Sequence, residues 1–313
     1  MKKIILYSIA ISFFFCSCED ILTKTLELED FDFEKQMALS GTLISSADQF
    51  RLLVSENQAI TSPRGDWQPL DDAMVSLYKD GSLVGELAFK AEADSVLEVD
   101  SVFVLDLENI DVTPGVFSIE VSHPDFPTAS AASVLPSEIP LTEIVFEEDF
   151  GIAPNFLERT DAIHITFSDP PDEENYYSFT IDSDTITMDT FIWQNDTTIF
   201  ERELYLSLDT NEPNVHLNGN TILFKDDFFN GQEHTISFYV LDSSGDGISE
   251  FIDDLEISWE VTSIEHFEFT QSLDLYYDAQ GFGPFSEAVT VFNNVEGGVG
   301  IFSAINRAIY KIP

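Results

Sequence analysis

Ala73 to Phe89 reads AMVSLYKDGSLVGELAF, and its pattern decides the fold class. Val75 and Leu77 alternate with Ser76 and Tyr78, Asp80-Gly81 interrupts the run, and Leu83 to Phe89 return. Period-two alternation marks a strand with one buried face, and Asp-Gly supplies the positive φ angles that a two-residue hairpin turn requires. The stretch predicts a β-hairpin.

The same grammar extends in both directions. Pro114-Gly115 is a turn, and Phe117, Ile119 and Val121 behind it share one face. Ile163-Ile165-Phe167, Ile236-Phe238-Val240 and Leu255-Ile257-Trp259-Val261 alternate in the same way. Short strands separated by turn residues are the signature of antiparallel sandwiches. The expected class is all-β and mostly antiparallel: an N-terminal Ig-like or transthyretin-like β-sandwich over residues 36–136, then a second β-rich domain over 137–313. Pro136 and Pro140 place the boundary, because two prolines four residues apart break strand pairing. Residues 263–279 (SIEHFEFTQSLDLYYDA) fit two periods. Ser263 suits the cap of a helix carrying Phe269, Leu273 and Tyr276 on one face, whereas Phe267, Phe269, Leu273 and Leu275 also suit a strand.

The first residues read differently. Lys2 and Lys3 precede an apolar run, Ile4 to Phe15, too short for the ~20 residues that cross a bilayer. A charged start, an apolar core and small residues before a cysteine make an export signal. Phe15-Cys16-Ser17-Cys18 resembles the lipobox of bacterial lipoproteins, with Cys18 the expected lipidated residue because Ser17 before it is small while Phe15 before Cys16 is bulky. Residues 1–17 are then a signal peptide and 18–35 an acidic tether. Cleavage before Cys18 leaves a mature chain with no second thiol, which excludes disulfides, thiolate metal sites and a cysteine nucleophile. Burial alone must hold the body together, and chains of this length bury about three-quarters of their unfolded surface. Glu19-Asp20 resembles the acidic tag that sends Bacteroidota lipoproteins to the outer face of the outer membrane.

Once Lys2 and Lys3 leave with the signal, 11 basic residues face 58 acidic ones, a formal charge of −47. Nucleic acid is excluded as a partner, since its binding runs on Lys and Arg displacing counterions from phosphates. Disorder does not follow from the acidity, because 44% apolar and 13% aromatic residues are a globular composition. The charge reads as a solvated surface.

Gly283-Pro284-Phe285-Ser286-Glu287-Ala288-Val289 and Val291 to Phe302 (VFNNVEGGVGIF) resemble the closing motif of a Bacteroidota lipoprotein family, the domain of unknown function 4249 family. Pro114 to Val121, Asn175-Tyr176-Tyr177 and Phe224 to Gly231 (FKDDFFNG) resemble its other recurring parts, in the same order. The resemblance covers nearly the whole mature chain and favours the helix for 263–279. It implies an outer-membrane lipoprotein often encoded beside TonB-dependent transporters, and it brings no catalytic residues.

Candidate sites are few. Asp242, Ser244, Asp246 and Asp253 approximate positions 1, 3, 5 and 12 of a calcium loop, with Gly247 at position 6. Asp replaces the usual bidentate Glu at position 12 and the loop leaves a strand, so a polar turn is the favoured reading. Asn293 to Gly300 is glycine-rich but lacks the lysine of a phosphate loop, and reads as a turn where backbones pack closely. His123, His164, His216, His234 and His266 show no zinc spacing; His164, between Ile163 and Ile165, is expected to face solvent. Glu147-Glu148 and Asp226-Asp227 are acidic pairs of the kind that composition alone produces. Trp67, Tyr176, Tyr177, Tyr276, Tyr277 and Phe282 are candidate recognition aromatics, with core packing the favoured reading for each.

These readings predict a lipid-anchored outer-membrane protein facing the cell exterior, without enzymatic activity or cofactor. It serves as a binding or accessory component of a TonB-dependent uptake system, with its ligand unspecified. The rivals are a free-standing surface adhesion or structural lipoprotein, and a hydrolase built on an acidic dyad, which requires a cleft with two converging carboxylates.

Overall fold

The computed structural model describes residues 34–58, 68–91, 101–155, 159–183, 186–193, 196–203, 206–242, 248, 252, 255–281 and 289–313. The hairpin forms as β3 (Met74–Lys79) and β4 (Ser82–Lys90). Asp80 and Gly81 turn it with φ of 48° and 77°, the paired positive angles of a type I′ turn. Register shifts between Leu77 and Tyr78, leaving Val84 as an extra residue that bends β4.

Five further strands complete the first layered unit: β1 (Met37–Ile44), β2 (Gln49–Glu56), β5 (Val102–Asp106), β6 (Gly115–His123) and β7 (Phe126–Leu135). They pair antiparallel in the order β1-β2-β5-β4-β3-β6-β7. Alternation sends Leu39, Phe50, Leu52, Val75, Leu77, Phe117, Ile119 and Val121 into one core, all of them essentially buried.

Pro136 and Pro140 carry the chain from this core to another. There β8 (Leu141–Ile152) and β9 (Arg159–Ser168) are followed by β10 (Tyr176–Ser183), β11 (Ile186–Trp193), β12 (Asp196–Glu203) and β13 (Leu206–Thr210). Then come β14 (His216–Asn218), β15 (Thr221–Lys225), β16 (Glu233–Asp242) and β17 (Leu255–Thr262). A four-stranded sheet, β13-β16-β9-β8, faces β14-β15-β10-β17, while among the described residues β11 and β12 pair with each other alone. The two alternating triplets, Ile163-Ile165-Phe167 and Ile236-Phe238-Val240, and the Trp259 strand all point into the space between. Trp259 sits at its centre, stacked 5.2 Å from Tyr177, and its indole N–H donates to the Ile139 carbonyl at 2.7 Å. A buried indole needs that acceptor to avoid losing its hydrogen bond to water.

The last strand, β18 (Gly298–Lys311), joins the halves: it pairs antiparallel with β17 and parallel with β1. Twelve strands thereby form one continuous sheet that serves both cores. The observed class is thus mostly β, in mixed and antiparallel sheets, with a helix near the C-terminus. That helix, α1 (Ile264–Gly281), answers the ambiguity at 263–279. Ser263 caps it, its hydroxyl accepting the His266 N–H at 3.3 Å. The residue it buries is Phe267, packed on Tyr176 and Leu223, while Phe269 and Leu273 are half-buried and Tyr276 is exposed. No helix among the described residues is long and apolar enough to cross a membrane.

Candidate functional site

The glycine-rich stretch is a seam. Glu296 and Ser130 exchange backbone hydrogen bonds of 2.8 and 2.9 Å, so the outer edge of β7 is joined to the segment that feeds β18. Asn294 clamps the turn: its amide donates to the Phe302 carbonyl at 2.7 Å and to Ala132 O at 3.2 Å, and its oxygen accepts Phe302 N at 3.0 Å. Asn293 accepts the Gly300 N–H at 2.8 Å. Gly297 and Gly300 hold φ of 77° and 122°, and a Cβ there would lie 2.3 Å from Thr128 O and 1.8 Å from Leu39 O. Only glycine lets the two backbones approach this closely.

Beside the seam, the outer face of β3, β6 and β7 forms an open groove of about 560 Å³, lined by Tyr78, Ser118, Glu120, Ser130, Asn294 and Glu296 among others. A second hollow of about 330 Å³, which shares Glu120, continues it past Ser76 and Glu86 to Met74. Register makes the chemistry regular: Glu86 is opposite Ser76, Ser76 opposite Glu120, Glu120 opposite Ser130 and Ser130 opposite Glu296. Neighbouring strands lie about 4.8 Å apart, so the three carboxylates form a row with steps of about 10 Å. Among the described residues no Lys or Arg lines either hollow and the three carboxylates make no ion pair. Exposed Leu83, Val116 and Val134 stand at the Tyr78 end of the same face.

The other family-like stretches meet in the second core. Asp169, 5% exposed, accepts hydrogen bonds from the Tyr177 hydroxyl, from Gly231 N at 2.8 Å and from the Asn175 amide at 3.4 Å. Asp226, 1% exposed, accepts Asn175 N and the Asn230 amide, each at 3.0 Å. Burial holds the Asp226 carboxyl above the usual carboxylate range, and the Asp169 charge adds to the effect. Burial and the hydrogen bond to Asp169 likewise push the Tyr177 phenol up. Asp161 and Asp209 repeat the design elsewhere. Asp161 takes the N–H groups of Asp149 and Ile248 at 2.9 Å each, and Asp209 takes those of Asn155 and Thr210 at 2.7 and 2.8 Å. With so few cations available, main-chain amides serve as the positive partners of the buried carboxylates, and each such contact ties down a loop.

Asp169 and Asp226 do converge, but their oxygens are taken by these donors and neither groove includes them. Sequence reasoning missed them. Asp226-Asp227 reads as one pair, yet the structure divides it: Asp226 is internal, while Asp227 meets Lys225 at 3.1 Å near the surface. The available signal was the placement of Asp226 inside the family-like stretch 224–231.

Four histidines stand beside separate carboxylates: His123 by Asp72, His164 by Glu147, His216 by Asp274 and His234 by Glu212. His164 corrects its expectation. It points off the core face, but Phe150 covers it edge-on at 4.7 Å, leaving its side chain 16% exposed. His266 lies against β18 with Ser303, and desolvation, with the Arg307 charge, pushes its imidazole down to about 4. Tyr176 and Tyr177 are buried, whereas Tyr276 and Tyr277 are exposed. Cys18, Trp67, Phe282 and, from the calcium reading, Ser244, Asp246 and Asp253 lie outside the described residues; Asp242 ends β16. Among the described residues no three His, Cys, Asp or Glu side chains are grouped to hold a metal ion.

Fold and seam define a class: a double β-core protein whose last strand is locked by an Asn-Asn-Val-Glu-Gly-Gly turn. The chain belongs to the family described as Domain of unknown function (DUF4249), whose profile matches residues 23–310. A comparison with curated proteins finds none that matches.

Proposed function

We propose that the protein is a lipid-anchored lipoprotein on the exterior of a Bacteroidota outer membrane, acting as a non-enzymatic binding component of a TonB-dependent uptake system. The open groove beside the seam carries this reading, because it presents carboxylates without an ion pair among the described residues, with serines and a tyrosine, on a sheet face. The cysteine at position 18, between an apolar run and Glu19-Asp20, supports the anchor. The strong negative charge supports a body that stands off an anionic membrane surface. The buried aspartates support a structural use of acidic residues in the core, since their lone pairs are taken by loop amides.

Purification of the tagged full-length chain from native outer membranes tests the partner. A large β-barrel is expected to accompany it in stoichiometric amount. Recovery of the chain alone, with its lipid intact, overturns the uptake reading and favours a free-standing adhesive or structural lipoprotein.

A further inference from the structure

The occupant of the groove follows from its charge, its shape and its neighbours. Glu86, Glu120 and Glu296 share one row of register across β4, β3, β6, β7 and the seam, about 20 Å long measured along the sheet at ordinary strand spacing. The floor between them is Ser76 and Ser130, small enough to let another backbone lie close. Apolar side chains flank the row, with exposed Met74 on one side and Tyr78, Leu83, Val116 and Val134 on the other. A solvated acidic surface does not require an adjoining apolar cluster, whereas a docking surface does.

We infer that this groove docks an extended, basic segment of a partner protein, with its cationic side chains on the carboxylate row and its apolar ones against the flanks. The inference rests on the reading of the protein as a binding component and names the surface used. Charge complementarity selects the occupant. A second copy carries a net charge of −45 and is repelled. The chain's own segment 19–35 has seven acidic residues against two basic and so lacks the positive charge that the row selects. The length also fits, since six residues of extended chain cover about 20 Å. Cations about 10 Å apart are three residues apart in a chain rising 3.1–3.3 Å per residue, a spacing that polyproline II places on one face.

The test uses a fluorescent peptide of three Arg-Pro-Val repeats and the full-length protein, read by anisotropy at low salt and at about 0.15 M salt. Saturable, salt-weakened binding is expected. Each exposed charge pair contributes about two- to five-fold, so Glu86→Gln, Glu120→Gln and Glu296→Gln together are expected to weaken it at least about eight-fold. Glu138→Gln, Glu143→Gln and Glu148→Gln remove the same charge from exposed positions elsewhere and are expected to stay within about two-fold. An unchanged melting temperature confirms that both triple variants fold. Equal weakening by the two sets, or no saturable binding to the wild type, overturns the inference. Either outcome leaves co-purification with the barrel to judge the uptake reading by itself.

Discussion

Replacing Gly300 by Ala tests whether the seam holds the two cores together. A Cβ at this position would lie 1.8 Å from the Leu39 carbonyl oxygen and 2.9 Å from its carbon, so β1 and β18 must separate by more than 1 Å. The backbone conformation, φ 122°, costs an L residue about 1–3 kcal/mol. Separation also leaves buried groups of the β1–β18 ladder unpaired, adding about 2–3 kcal/mol. The total, about 3–6 kcal/mol, is a large part of the 5–15 kcal/mol that holds a typical domain folded. Gly81→Ala is the matched control. Its φ is also positive, at 77°, but a Cβ there meets nothing within 4 Å, so only the conformational cost of about 1–2 kcal/mol applies. Urea unfolding followed by circular dichroism reads both, and the Gly300 variant is expected to unfold at a clearly lower urea concentration. If the two variants lose the same stability within 1 kcal/mol, close backbone approach is not what the seam requires.

Three further outcomes follow from the buried and terminal groups. Asp226→Asn keeps an oxygen for Asn175 N and Asn230 and is expected to change stability by less than about 1 kcal/mol at pH 7, whereas Asp226→Ala orphans both donors and costs about 2–4 kcal/mol. Because the folded carboxyl titrates above its unfolded value, wild type should gain on Asp226→Asn as pH falls through that raised range and lose the gain as pH rises; thermal melts from pH 3 to 8 check the sign. His266 is depressed to about 4, so the stability it contributes is present above its unfolded value of 6.5 and is lost as pH falls from there through 4. His266→Gln is expected to remove up to about 3 kcal/mol of that acid sensitivity, read from melting temperature against pH. Intact-mass spectrometry of the membrane-extracted protein is expected to show a chain starting at an acylated Cys18, and Cys18→Ser to release it from the membrane; an uncleaved, unacylated start refutes the anchor.

Local signals carried the strand reading because they are short-range. The Asp80-Gly81 turn, the Phe117-Ile119-Val121 face and the Trp259 strand each state their conformation within eight residues, and each forms as read. At 263–279 the period was compatible with both answers, since only Phe267 is fully buried; the Ser263 cap and the patch made by Tyr176 and Leu223 decided for helix. His164 misled because alternation reports which face a side chain takes, not whether Phe150 then folds over it.

By itself the amino-acid sequence determined the β class, the hairpin chemistry, the family and the absence of a structural role for cysteine in the body, because these depend on composition, period two and turn residues. Tertiary structure alone decided that the last strand pairs in parallel with the first, that Asp226 is internal while Asp227 is not, and that Glu86, Glu120 and Glu296 share one row. Those three carboxylates come from positions up to 210 residues apart in the chain. Their alignment is set by register between strands and by the backbone contact at Gly297 and Gly300, which no local pattern encodes.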